Sequence, residues 1–334
     1  MNKKRTMYII YLLTTAIKRY LSDKRTARIV FILLVFFFLV SSELPLLGEQ
    51  KKKRPISVGY ITNMIYGVDQ RDANIAMEIL TAKIIGEKFP DRESKSVFLT
   101  NIEQATEASR RGELDLLNML SIDYLKVRDK IDAAPVAVGS VGGKAETEYL
   151  LLVKKNSGIS NISQLKNKKL NVCKGGTDVI GLLWLDEMLM RNGYGESNVF
   201  FKIVDRVDKP AMAILPVFFG RREACIVFKH SYETMVDLNP QVGSQLVVLK
   251  KSPPLVFTIS CLHNNAEKDV WNVISQFFQE DMNSTPEKRQ IFTLFQVKGL
   301  IKYQPEYLIN LEKLYNSYQA FKKTERINNK GKSL

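Results

Sequence analysis

The chain has 334 residues, is 45% apolar and 25% charged, and carries a formal charge of +14, the composition of a globular chain long enough for two lobes. The charge sits at the ends: residues 1–42 hold eight Lys or Arg against one acid, 51–54 add four, 322–334 add five against one, and 55–321 has 32 basic and 31 acidic residues. A near-neutral body with basic tails lacks the concentrated basic face that phosphate-backbone binding needs, which argues against nucleic acid as a partner.

Residues 1–28 form a basic N-terminal segment, followed by the apolar run "IVFILLVFFFLV" (29–40), which Leu44 to Leu47 can lengthen. The stretch 29–47 reads as either a signal-peptide core, with cleavage after Ser42, or an N-in membrane anchor. The 28 residues ahead of the run favour the anchor, and both readings export the rest. A basic linker, 48–54, comes next. "ISVGYIT" (56–62) then predicts a strand, "RDANIAMEILTAKIIGEKF" (71–89) a helix, "SVFLT" (96–100) a strand, "NIEQATEASRRGE" a helix capped by Asn101 and closed at Gly112, and "LDLLNMLS" (114–121) a strand. This alternation is that of a parallel sheet with helices on its faces.

"AAPVAVGSV" and "EYLLLVKKNSG" (148–158) follow as strands. A second βα series runs through "LNVCKGG", a helix at 178–192, "NVFFKIVD", a helix near 209–219, "EACIVF" and a helix through "SYETMVDL". "SQLVVLKKSPPLVFTISCLH" then reads as strand, Ser-Pro-Pro break and strand, after which only helices are expected, at 266–282, 286–296 and 305–321. The order predicts an α/β fold of two Rossmann-like lobes with a hinge and an interlobe cleft: 55–150 with 256–321 as lobe 1, 151–255 as lobe 2, and 322–334 as a basic C-terminal tail. The crossings are expected near Tyr149–Val153 and Val256–Ser260. Ligands of such sheets bind at the carboxyl ends of the strands, between the lobes.

Chemistry-bearing motifs are few. Cys173, Cys225 and Cys261 lie in apolar strands without CxxC spacing, as small buried hydrophobes do. His230 and His263 have no neighbours at zinc-ligand spacing. No nucleophile elbow and no phosphate loop of the Gly-x-x-x-x-Gly-Lys kind occurs, so no catalytic residue, metal or cofactor is expected. The one suggestive junction is Lys174-Gly175-Gly176-Thr177-Asp178, where a strand turns through two glycines into a helix. Such a tip presents backbone N–H groups and the positive end of the helix dipole, a common way to hold an anion. Asp178 reads first as a cap for that helix; facing a cleft, it would instead repel an anion.

"RRGELDLLNMLSIDYL", "LLVKKNSGISNISQLKNKKLNV", "GRREACIV" and "LKKSPPLVFTIS", in this order, resemble the phosphonate-type periplasmic substrate-binding proteins of ABC importers over roughly residues 55 to 300. The resemblance implies the two-lobed type II binding-protein fold, a phosphonate-, phosphite- or phosphate-like ligand, and an ABC permease as partner. A membrane-tethered module that reports ligand to a sensory partner is the alternative. In that family the loop after the first strand of the second lobe is rich in Ser and Thr hydroxyls that grip the oxyanion; here it keeps the glycines and Thr177 and adds a carboxylate. The implied ligand-binding residues are Lys174, Gly175, Gly176, Thr177 and Asp178, with Lys209 beside them. From the first lobe come Ser121 and Tyr124 after the third strand and Tyr60, Thr62 and Asn63 at the end of the first. Glu223 replaces the family's Asp in Gly220-Arg221-Arg222-Glu223-Ala224 and reads as scaffold. His230 reads as a surface helix cap that could reach the cleft mouth.

Overall fold

The computed structural model describes residues 53–64, 69–277 and 299–330. The segments 1–28 and 29–47, most of the basic linker, and the helix expected at 286–296 lie outside the described residues. In chain order the strands are β1 (Ile56–Ile61), β2 (Ser94–Leu99), β3 (Leu116–Leu120), β4 (Ala133–Gly139), β5 (Glu146–Thr147), β6 (Tyr149–Lys154) and β7 (Lys169–Cys173). They continue with β8 (Ile203–Val207), β9 (Ala224–Phe228), β10 (Leu246–Lys251), β11 (Leu255–Val256), β12 (Thr258–His263) and β13 (Leu300–Lys302). The helices are α1 (Gln70–Lys88), α2 (Ile102–Arg110), α3 (Ser121–Val127), α4 (Leu182–Arg191), α5 (Ser197–Phe200) and α6 (Pro210–Phe218), then α7 (Lys229–Leu238), α8 (Pro240–Gln245), α9 (Lys268–Phe277) and α10 (Ile309–Lys330).

Local chemistry sets most of these boundaries. The Asn101 side chain accepts from Gln104 N–H at 2.9 Å and so starts α2, and Gly112, at φ 67°, closes the turn after it. Pro210 opens α6, where its missing N–H costs nothing. Every residue of β9 and of β12 is buried, as in sheets covered on both faces; β9 is accordingly a continuous apolar run, whereas β12 buries Thr258, Ser260 and His263 among its apolar residues.

Two mixed sheets result. The first has the order β13-β4-β12-β3-β1-β2, with β1 parallel to β2 and β3 and β12 antiparallel to both β3 and β4. The second has the order β10-β6-β9-β7-β8, with β7 parallel to β8 and β9. Between them runs a two-stranded antiparallel ribbon of β5 and β11, pairing Leu255 with Thr147 and Val256 with Glu146. The protein is thus an α/β fold of two lobes joined by paired extended crossings.

Those crossings sit a few residues from where the apolar pattern puts them. Tyr149–Val153 is not a crossing but part of β6, inside the second sheet, and Thr258–His263 lies wholly in the first. Ser252 marks the corner: Tyr149 N–H donates to its Oγ at 2.9 Å, and Ser252 N–H donates to Tyr149 O at 2.9 Å. The C-terminal region departs further. β13 is an unexpected strand in the gap between the helices expected at 286–296 and 305–321; it is three residues long, too short to show a period, and exists because β4 offers it an edge.

α10 extends through Lys330, so residues 322–330 continue a helix instead of forming a tail. It also spans both lobes. Its N-terminal end meets the first lobe through an Arg128–Glu312 ion pair and the hinge through Asn310 Nδ2 to Pro254 O at 3.1 Å. Its middle meets the second lobe: Ser317 Oγ donates to Glu187 Oε1 at 2.6 Å, Tyr318 OH to Glu196 Oε1 at 2.5 Å, and Lys322 pairs with Glu196 at 3.0 Å.

Candidate functional site

The parallel strands of both sheets end toward the hinge ribbon, and the candidate residues are best taken from those ends. In the second lobe β7 ends at Cys173, and Lys174 N–H donates to Val207 O of β8 at 2.8 Å. Gly175 and Gly176 follow with φ of 76° and 77°, so the chain reverses through two residues in conformations that a side chain disfavours. It then enters a wide helical turn, Thr177–Gly181, that leads into α4, and no side chain caps this N-terminus. The helix expected to begin at 178 therefore begins as a π-type turn, a feature frequent at functional sites.

Gly176 is pressed against the hinge. A Cβ at this position would lie 2.0 Å from Phe257 Cε2. Phe257 itself is buried between β11 and β12 and packs edge-on to Phe228 at 5.3 Å. Thr177 is completely buried, and its hydroxyl has no hydrogen-bond partner. The hydroxyl of Tyr149, also fully buried, has none either. Tyr149 lies in the same place, since its ring and the Thr177 methyl both crowd Gly181, at 2.8 and 3.3 Å from the Cβ that residue lacks. Buried unpaired hydroxyls on two residues that both pack against Gly181 are costly to folding, each by about 1–3 kcal/mol, and mark a place where a polar group belongs.

Asp178 stands over this tip with 19% of its side chain exposed and Arg206 Nε 3.8 Å from its carboxylate. Burial raises its pKa against the pull of Arg206, of the backbone amides of Asp178 and Gly175, and of Lys174. The folded protein thus holds this proton more tightly than the unfolded chain. The contribution of Asp178 to stability falls as pH rises through the interval between the ordinary carboxylate value and the raised one. Lys174 is paired with Asp208 at 2.8 Å. Lys209, next in the chain, is exposed at the start of α6.

The first-lobe candidates are used differently. Ser121 is fully buried; its Oγ donates to Val256 O at 2.6 Å, and its N–H donates to Phe257 O at 3.0 Å. It therefore clamps the hinge strand whose next side chain covers Gly176, and it reaches the tip only through Phe257. The Tyr60 hydroxyl bonds the Thr81 hydroxyl at 2.7 Å and its ring stacks on Phe98, which makes it a core residue; burial pushes its pKa up to about 12. Tyr124 is 9% exposed, is likewise pushed up to about 12 by burial, and has Cys261, Tyr303, Arg128 and Glu312 as its charged and polar neighbours. That is the α10 side of the lobe. Asn63 donates to Asp123 at 2.9 Å, and Lys126 pairs with the same carboxylate at 2.9 Å. Two variants separate scaffold from site here: Ser121→Ala and Tyr60→Phe should each lower unfolding free energy by about 1 kcal/mol in a urea titration, while ligand affinity measured on the same samples stays within about twofold.

Glu223 accepts from Lys169 N–H at 3.1 Å and so ties the start of β7, a scaffold role. His230 packs its ring against Gly142, within 3.1 Å of where a Cβ would be. With Lys144, Glu146, Lys229 and Tyr307 it lines a crevice of about 630 Å³ beside the hinge, in which Glu148 is held by Lys229 at 3.1 Å and Lys251 at 2.9 Å. The three cysteines are buried and unpaired, with thiol pKa values raised by burial, so they are not nucleophiles. Phe257 escapes sequence reasoning because it sits within an apolar run, "LVFTIS", where no residue type singles it out.

A family profile described as "ABC transporter, phosphonate, periplasmic substrate-binding protein" matches residues 77–308, more than two thirds of the chain. The chain belongs to that family. As a phosphonate-type substrate-binding protein it is a non-enzymatic component of an ABC importer, which captures a small anionic ligand and delivers it to a permease. Solved structures agree at the level of the fold. The binding-protein component of an ABC phosphonate transporter from Pseudomonas aeruginosa superposes with a TM-score of 0.56 at 16% identity, over 81% of this chain and 88% of its own. PhnD1 from Prochlorococcus marinus, in complex with methylphosphonate, gives 0.56 at 19% identity over 80% and 98%. A Xanthomonas citri protein bound to ATP gives 0.58 at 14% over 81% and 99%. A search of curated protein sequences finds no match. Among the described residues of this binding protein no helix is long and apolar enough to cross a membrane.

Proposed function

We propose that this binding protein captures a phosphonate- or phosphate-like oxyanion at the tip formed by Gly175, Gly176 and Thr177, and that closure of the lobes over it produces the form a permease recognises. The observation that carries this reading is the Thr177 hydroxyl, fully buried and unpartnered at an uncapped helix N-terminus. An oxyanion there would accept from that hydroxyl and from the amides of Gly176 and Thr177, those of Gly175 and Asp178 facing the Asp178 carboxylate, while meeting the positive end of the helix dipole. Lys174, which pairs with Asp208 at 2.8 Å, precedes the glycines in the chain, and the exposed Lys209 follows Asp208. The contact of Gly176 with Phe257 joins the tip to the hinge, so a ligand at the tip bears on both lobes. That is the condition for ligand binding to shift the population from open to closed.

Calorimetric titration of the full chain with methylphosphonate and with inorganic phosphate tests the reading. Saturable binding of at least one, at one site per chain, is expected. A cooperatively melting protein that binds neither would overturn it. Export follows from the apolar run 29–47. Intact-mass analysis of the mature protein decides its fate: cleavage after Ser42 makes the chain a diffusible carrier, and a retained Met1 makes it a tethered module.

A further inference from the structure

The charges around the tip nearly cancel. Lys174 is paired with Asp208 at 2.8 Å, and Arg206 approaches Asp178 at 3.8 Å, so of the cations near the tip in the chain only Lys209, exposed after Asp208, remains to balance a ligand, which matches one negative charge and not two. Burying a charge without a partner is costly, and the helix dipole supplies only about half an elementary charge. The ligand charge the tip can balance is therefore small. Asp178 adds a second constraint. An ionised carboxylate can only accept hydrogen bonds; toward a bare oxyanion oxygen it is repulsive, and toward an O–H or N–H it is a strong acceptor.

We propose that Asp178 selects the ligand class of this site: a singly charged oxyanion that carries its own hydrogen-bond donor, as a hydrogen phosphonate does, and not a sulfonate or sulfate. Hydrogen methylphosphonate and methanesulfonate share shape and charge and differ in one proton. Only the first can donate to Asp178. A site built around a hydrogen bond rejects the analogue that cannot make it far more strongly than it rejects a change of size. The proposal rests on the tip being the ligand site.

The test titrates the full chain with methylphosphonate and methanesulfonate at near-neutral pH, just below the second ionisation of methylphosphonate, so that Asp178 is ionised as far as its burial-raised pKa allows. Wild type is expected to prefer methylphosphonate by about a hundredfold or more. Asp178→Asn, close in shape and able to donate through its amide, should close that gap to within about tenfold, with affinity for methanesulfonate rising. A melting curve of each variant establishes that it is folded. An unchanged ratio in Asp178→Asn, or equal affinities in wild type, overturns the role of Asp178 while leaving the tip as the site. If Thr177→Val binds methylphosphonate as wild type does, the tip itself is not the site, and both readings fall together.

Discussion

Gly176→Ala is expected to destabilise the protein by roughly 2–6 kcal/mol and to abolish binding of methylphosphonate. Two costs add. Gly176 has φ 77° and ψ −40°, a conformation that costs an L-residue with a side chain about 1–3 kcal/mol. The new methyl would also stand 2.0 Å from Phe257 Cε2, and overpacking of this kind costs about 1–3 kcal/mol more. Phe257 cannot withdraw easily: its carbonyl accepts from Ser121 N–H at 3.0 Å, and its ring is held against Phe228. Urea denaturation measures the loss. The double variant Gly176→Ala/Phe257→Leu divides it, because a smaller side chain at 257 removes the clash and leaves the backbone strain. Should Gly176→Ala melt like wild type and bind normally, the packing of the tip on the hinge is not what holds the lobes in this arrangement.

Thr177→Val should move stability and binding in opposite directions. The Thr177 hydroxyl is buried without a partner, and valine is nearly its shape. Removing an unsatisfied buried hydroxyl should raise unfolding free energy by about 1 kcal/mol or more, even as the ligand loses its donor. Loss of that donor to a charged acceptor costs about 1.5–3 kcal/mol, or roughly tenfold to a hundredfold in affinity. Tyr149→Phe removes the other orphan and should stabilise the ligand-free protein in the same way. Thermal melting and calorimetry on one preparation read both effects. A fall in stability for Thr177→Val would mean that the hydroxyl is satisfied in the free protein, as by a buried water, and would remove the observation on which the proposed site stands.

Most of the fold is legible along the chain because its elements are local. The alternation of strand and helix from Ile56 to Leu120 and from Lys169 to Phe228 reflects apolar period, the Asn101 cap and turns at Gly112 and Gly175-Gly176, each of which acts within a few residues. The family likewise shows in blocks that read as sequence, and the profile match over 77–308 covers all four of them. What fails is non-local. β13 exists only because β4 has a free edge. The crossings are set by which residues pair across the hinge, so the apolar run 149–153 could be placed in a crossing or in a sheet equally well until β9 paired with it. The course of α10 over both lobes depends on Glu187 and Glu196, more than a hundred residues away in sequence.

The site divides along the same line. The sequence by itself determined that a strand would turn through two glycines into a helix at Thr177, since glycine alone tolerates that path, and it placed a hydroxyl and a carboxylate at the turn. It could not separate Tyr60, Ser121 and Tyr124 as binding residues from the same residues as scaffold, because a phenol or a serine at a strand end looks alike in either role. Only the tertiary structure decided that Tyr60 spends its hydroxyl on Thr81, that Ser121 spends its own on the hinge backbone, and that Thr177 has none to spend it on. The physical reason is that hydrogen-bond satisfaction is a property of what arrives from elsewhere in the chain. The arrival that matters most here, the Phe257 ring against Gly176, comes from 81 residues downstream.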